Sequence, residues 1–177
     1  KIQAMPPGSP KRDEKMEALR QQLEDYILNV EFDDDFRRRL AAAMETVFGP
    51  DGSYGVFVRS DTNVEDLPGF TGAGLNKTIA NVVDIENVLA AIPRVWASPF
   101  SKRAFAWRQS HMDLPQHVYA SVLLLRSVPS EKSGVMVTRD IDTGEKGWLS
   151  VAVNEGVGGA VDGQAAESLR INVKTGD

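Results

Sequence analysis

The hydrophobic period of this chain changes at Gln116, and that change limits the folds open to it. Before it, Met16, Leu19, Leu23, Tyr26, Ile27 and Val30 recur at helical spacing, as do Ile85, Val88, Leu89, Ile92 and Trp96. After it, HVYASVLLLRSV is a near-continuous apolar run, SGVMVT is a second, and WLSVAV alternates. The stretch from Arg139 to Gly147, carrying Asp142, Thr143 and Gly144, reads as a hairpin turn, and SLRINV as a last strand. Helices and antiparallel strands therefore occupy separate stretches. This predicts an α+β fold with N-terminal helices and a mostly antiparallel sheet, rather than a doubly wound parallel sheet.

Punctuation residues divide the helical part. Pro6, Pro7, Gly8 and Pro10 make the first ten residues a linker, and a helix follows. Asp33 or Asp34 can cap a second helix with the apolar face Phe36, Leu40, Met44, Val47 and Phe48, stopped by Gly49 and Pro50. Within it, Arg37, Arg38 and Arg39 read as a solvated face. Pro93 removes one backbone donor from the third helix and should kink it. Pro99 suits the first turn of a fourth, PFSKRAFAWRQSHM, whose stripe is Phe100, Ala104, Trp107 and His111.

At 177 residues and 42% hydrophobic content there is material for one ordinary core. With 25 acidic and 20 basic residues intermixed, the net charge of -5 gives no support to general binding of nucleic acid or anionic membrane. Zero cysteines exclude disulfides and thiolate metal sites, and a reducing cytoplasm is the expected compartment. No apolar run reaches the roughly 20 residues needed to cross a bilayer. Starting at Lys1 without methionine and stopping at NVKTGD, the sequence reads as an internal piece of a longer protein.

The chemistry concentrates in Tyr54 to Leu75, YGVFVRSDTNVEDLPGFTGAGL. An apolar strand delivers Arg59 to a loop carrying Gly69, Gly72 and Gly74. Glycines let backbone N–H groups approach an anion closely, and a guanidinium grips phosphate oxygens as a bidentate fork. Two readings stand at this level: a strand-end surface arginine, or half of a phosphate grip. Glu65 and Asp66 are adjacent, and they order the loop more plausibly than they act as an acid and base pair. A second cluster, GVGGAVDG, reads more readily as a turn joining two strands, which needs no ligand to explain it, than as a ligand loop.

VRSDTNVEDLPGFTGAG resembles the signature of the ATP-binding domain shared by phosphoenolpyruvate synthase, pyruvate phosphate dikinase, glucan water dikinase and rifampin phosphotransferase. In the same order, VLAAIPRVWASPFSKRAFAWR is similar to that family's helix pair, LLLRSVPSEKSGVMVTRDIDTGE to its strand, turn and hairpin, and EGVGGAV to its Gly-Leu-Gly-Glu segment. The resemblance implies an ATP-grasp fold. Residues 1–177 would be one partial nucleotide-binding domain, with 1–12 linker-like, 13–50 a helical lead-in and 54–177 the ATP-binding subdomain. It further implies transfer of a phosphoryl or pyrophosphoryl group from ATP, with Mg2+, to a histidine on a swivelling domain of the parent chain and on to a substrate such as pyruvate. Carried over by motif, Arg59 contacts the ATP phosphates, Gly72 and Gly74 belong to the loop that cradles them, and Thr78 is the loop's threonine. The segment Leu124 to Ser127, including Leu125 and Ser127, holds adenine through backbone groups.

Leu125 stands where relatives often carry glutamine, Lys77 where they carry aspartate, and Gly159 in place of the Gly-Leu-Gly-Glu glutamate. The family's upstream Gly-Gly-Lys segment, its acidic metal ligands and its phosphohistidine motif have no match within these residues. Two expectations follow: a nucleotide-binding piece of a dikinase that is inactive by itself, or a degenerate domain retained as a binding or regulatory module.

Overall fold

The computed structural model describes residues 2, 5–6, 8–64, 66–67, 70–71, 74–112, 114–159 and 167–176. The chain divides into two compact units, Lys1–Arg126 and Ser127–Asp177. The described helices all lie in the first unit beside antiparallel strands, and the second unit adds a further antiparallel sheet, so the architecture is α+β.

In the first unit α1 (Pro10–Leu28) and α2 (Asp34–Phe48) precede β1 (Gly55–Ser60), the two-residue strands β2 (Asp66–Leu67) and β3 (Phe70–Thr71), and β4 (Thr78–Val83). Then come α3 (Ile85–Trp96), a 3-10 turn over Ser98–Phe100, α4 (Lys102–His111) and β5 (Val122–Arg126). β1 is the centre of a three-stranded sheet in the order β4-β1-β5, antiparallel to both neighbours. Val56 and Val58 are fully buried on one face, where Val88, Ala91, Ile92 and Val95 of α3 and Met44 of α2 meet them. Each such side chain contributes roughly 1.5–3 kcal/mol by leaving water. The opposite face carries no helix contact among the described core residues, and it bears Arg59.

Local chemistry explains the element ends, with some departures from the sequence pattern. Pro10 is not linker but the first residue of α1, after an extended Ser9, because its fixed φ suits a helix's first position. The predicted apolar stripe of α1 fails at its end: Tyr26 is 79% exposed and Val30 is also exposed. The buried residue of that helix is Arg20, satisfied by Glu17 at 2.8 Å, Gln21 at 2.8 Å, Glu24 and the Phe100 carbonyl at 2.9 Å. α2 is capped by Asp33, whose carboxylate accepts from Phe36 N–H at 2.7 Å, and Gly49 ends it at φ 104°. Val47, expected on its apolar face, is exposed, while Arg38 and Arg39 pair with Asp35 on a solvated face. α3 continues through Pro93 to Trp96. Pro99 lies in the 3-10 turn rather than in α4, which Ser101 caps. The buried residues of α4 are Ala104 and Arg108, whereas Trp107 and His111 stack on each other at 4.8 Å.

The second unit is a separate antiparallel sheet in the order β6-β7-β8, from β6 (Lys132–Val137), β7 (Trp148–Glu155) and β8 (Glu167–Asn172). The predicted run HVYASVLLLRSV forms a strand only over Val122–Arg126, β5. Deepest among the described residues of the second unit are polar side chains. Asp140, 2% exposed, accepts from Asp142 N–H at 2.9 Å and Thr143 N–H at 2.8 Å and pairs with Arg170. This folds the expected hairpin turn between β6 and β7.

Candidate functional site

Register places the candidate side chains. Across β1 and β4, Arg59 is directly opposite Thr78; across β1 and β5 it is opposite Leu123. Directly opposed side chains in an antiparallel pair share a face about 5 Å apart. The exposed face of this sheet thus gathers Arg59, Thr78 and Leu123, with Phe57 and Leu125 paired two residues further along. Leu123 is 45% and Leu125 38% exposed, so an apolar strip leads away from the cation. Among the described residues no carboxylate pairs with Arg59 and no hydrogen bond occupies its guanidinium. The other arginine of this sheet, Arg126, is engaged elsewhere: it donates to the Phe48 carbonyl and lies 5.7 Å from the Tyr54 ring.

The residues after Arg59 hold its strand end in place. Asp61 N–H donates to Ser121 C=O at 3.0 Å, the Ser121 hydroxyl donates back to Asp61 C=O, and the Asn63 side chain bonds to both His117 and Tyr119 backbone. Asn76 Nδ2 reaches Thr62 Oγ1 at 3.4 Å, and Lys77 C=O accepts from Ser60 N–H at 3.3 Å, so the returning loop closes against the same segment. Gly74 turns that loop at φ +77°, a left-handed conformation that favours glycine. Gly69 and Gly72 lie outside the described residues, as do Glu65 and residues 160–166.

Hydrogen bonding along β5 alternates between its two edges. Because Asp61 and Ser121 exchange bonds, Leu123 and Leu125 direct their backbone groups toward β1. Leu124 and Arg126 direct theirs outward, to an edge that no described strand covers. Ser127 begins the second unit, its hydroxyl buried and without a hydrogen-bond partner among the described residues.

The second glycine cluster is committed to turn geometry in its described half. Gly156 N–H donates to Glu131 C=O at 2.8 Å and Gly158 N–H to Ser133 Oγ at 3.0 Å, both glycines at positive φ. Those donors are already used. Among the described residues no group of three or more Asp, Glu, His or Cys is placed to hold a metal ion.

Comparison with known proteins identifies the family. Residues 3–174 match the family model for the pyruvate phosphate dikinase AMP/ATP-binding domain. The chain belongs to that family. Rifampicin phosphotransferase of Bacillus subtilis (strain 168) is 30% identical over 143 residues, covering 81% of this chain and 16% of the relative. A probable phosphoenolpyruvate synthase of Methanothermobacter thermautotrophicus is 31% identical over 134 residues, 74% of this chain and 19% of its own length. Another from Pyrococcus abyssi reaches 36% over 114 residues, 64% of this chain and 14% of the relative. The chain thus spans less than a fifth of each of these relatives. Within this AMP/ATP-binding domain, the structure brings Arg59 and Thr78 together and places Leu125 on the same face. The sequence does not point to Leu123 as a neighbour of Arg59 or to Asn63 as a clamp, because the near-continuous apolar run of β5 gives no face and only the register pairs Leu123 with Arg59. No helix among the described residues is long and apolar enough to cross a membrane.

Proposed function

We propose that the exposed face of β1, β4 and β5 binds the triphosphate and base of ATP, as half of an ATP-grasp domain. Residues 1–177 are then one partial domain, with 54–177 as its nucleotide-binding part. The observation that carries this reading is Arg59, held directly opposite Thr78 and beside an apolar strip, with no partner among the described residues. Such a cation can form a bidentate contact with phosphate oxygens, worth about 1.5–3 kcal/mol. Thr78 adds a hydroxyl, and the loop through Gly72 and Gly74 adds backbone N–H groups. Adenine lies along the Leu123 and Leu125 side chains, and its polar edge meets the outward backbone groups of the segment Leu124 to Ser127.

In the parent protein, a cytoplasmic phosphotransferase, ATP arrives as its magnesium complex. A phosphoryl or pyrophosphoryl group passes to a histidine of a swivelling domain and then to an acceptor such as pyruvate. Here Arg59 meets the phosphate charge, and the chain alone binds nucleotide without turnover. The family match over residues 3–174 and the names of the relatives support this direction.

Calorimetric titration with ATP tests the site. Arg59→Ala should weaken binding about tenfold or more; an unchanged affinity removes Arg59 from the site. Acid-labile phosphohistidine in the intact parent after incubation with labelled ATP tests the transfer, and its absence would reduce the domain to a binding module.

A further inference from the structure

A second concavity lies elsewhere in the first unit and shares no lining residue with the Arg59 face. It is a pocket of about 490 Å3 between α1, the 3-10 turn, α4 and residues 115–118. Met16, Leu23, Phe105 and Val118 supply an apolar wall, and Arg12 and Arg108 supply two guanidiniums. Arg108 is 3% exposed. It donates one Nη1 bond to the Pro99 carbonyl and lies 5.4 Å from the Phe100 ring and 5.7 Å from the Phe105 ring. Its Nε and that of Arg12 are buried without a hydrogen-bond partner, and neither arginine pairs with a described carboxylate. Loss of water lowers Arg108 to about 10, the direction expected of a buried cation without a counter-charge.

Buried donors on a cation call for an acceptor, and a buried charge calls for an opposite one. Apart from Gln109 and Gln116 the rest of the wall is apolar, which favours an anion that carries an apolar body over a small hydrated one. The volume lies within the range of small-molecule sites. We propose that this pocket binds a small organic monoanion, a carboxylate on an apolar body, with the headgroup on the Nε–H groups of Arg12 and Arg108 and the body against Met16, Leu23, Phe105 and Val118. The site adds a second ligand to the nucleotide-binding domain, independent of the ATP reading.

Calorimetry on the full chain with sodium octanoate as probe tests this, with octan-1-ol as the same body lacking charge and inorganic phosphate as charge lacking a body. Saturable octanoate binding is expected, about tenfold or more tighter than octan-1-ol, with no measurable phosphate binding. Arg12→Met and Arg108→Met should each weaken octanoate about tenfold. Arg12 is a partly exposed helix position, so its variant decides the matter even where Arg108→Met fails to fold. Equal affinity for octanoate and octan-1-ol, phosphate binding as tight as octanoate, or octanoate binding unchanged in Arg12→Met would each overturn the proposal. Absence of octanoate binding would make the pocket a packing surface for another polypeptide and overturn it too.

Discussion

Asn63 accepts the Tyr119 backbone N–H at 2.8 Å and donates to the His117 carbonyl at 3.1 Å, so one carboxamide fastens the segment after β1 to the segment before β5. The contact prolongs the β1–β5 pairing beyond Ser60 and Val122, where the strands themselves stop. Replacing it with alanine removes both bonds. Asn63→Ala should therefore lower stability by about 1–3 kcal/mol in urea unfolding, and the looser strand end should weaken ATP binding with it. Asn63→Asp keeps the acceptor for Tyr119 and loses the donor to His117, so its loss of stability should fall between those of wild type and alanine. Equal stability of all three proteins would show that the clamp holds nothing.

Gly134 leaves no room for a side chain in the second unit's sheet. A Cβ there would sit 2.4 Å from the Ala152 carbonyl oxygen and 3.3 Å from Val153 Cα, both backbone atoms of the paired strand β7. No rotamer relieves such a clash, so β6 and β7 must separate locally. Gly134→Ala is expected to destabilise the chain by about 2 kcal/mol, read as a lowered urea midpoint. Gly144→Ala, where a Cβ meets nothing within 4 Å, supplies a contrast in which only positive φ is penalised.

How far the fold was legible in the sequence depends on whether the cause is local. β1 shows as a strand because Val56 and Val58 alternate, and the capping aspartate of α2 is adjacent to the helix it starts. β4 was missed although Thr78, Ile79, Val82 and Val83 favour strands. Its register slips between Val56↔Val82 and Val58↔Ile79, so Ala80 and Asn81 both oppose Phe57, with Asn81 at φ 50°. Such a bulge breaks the two-residue period by which strands are recognised. Buried Arg20 was equally hidden, because the Phe100 carbonyl that accepts from it is distant in sequence. At the site the chemistry of Arg59 is local and readable, whereas its neighbours Thr78 and Leu123 are set by register alone.

Asp140 carries a pH dependence of definite sign. The Thr143 N–H first, then the Asp142 N–H, the Arg170 charge and the Thr143 hydroxyl hold its carboxyl below the ordinary value of 3.8, against the opposing effect of burial. The unfolded chain binds this proton at higher pH than the folded one. Its stabilisation is therefore fully present above 3.8 and is lost as pH falls through the lower, folded value. The Asp142 and Thr143 amide resonances should hold steady down to pH 3.8 and shift below it. In Asp140→Asn, which keeps an oxygen acceptor but has no proton to gain, the acid shift should vanish. A wild-type midpoint above 3.8 would contradict the depressed carboxyl.

The pairing of Arg59 with Leu123 offers a test of the phosphate grip that leaves the arginine in place. Leu123 is 45% exposed and directly opposite Arg59, so a carboxylate there would come within reach of the guanidinium without disturbing Val56 or Val58 on the buried face. Leu123→Asp should occupy Arg59 with an internal counter-ion and repel the triphosphate, weakening ATP binding about tenfold or more. Leu123→Asn, of the same shape without charge, should lose much less. The difference between the two should shrink as salt is raised, since the repelled charges are solvent-exposed. Leu125→Asp, paired with Phe57 and further from Arg59, should fall between them. Equal loss for aspartate and asparagine would assign Leu123 to packing against the base and detach the phosphates from Arg59.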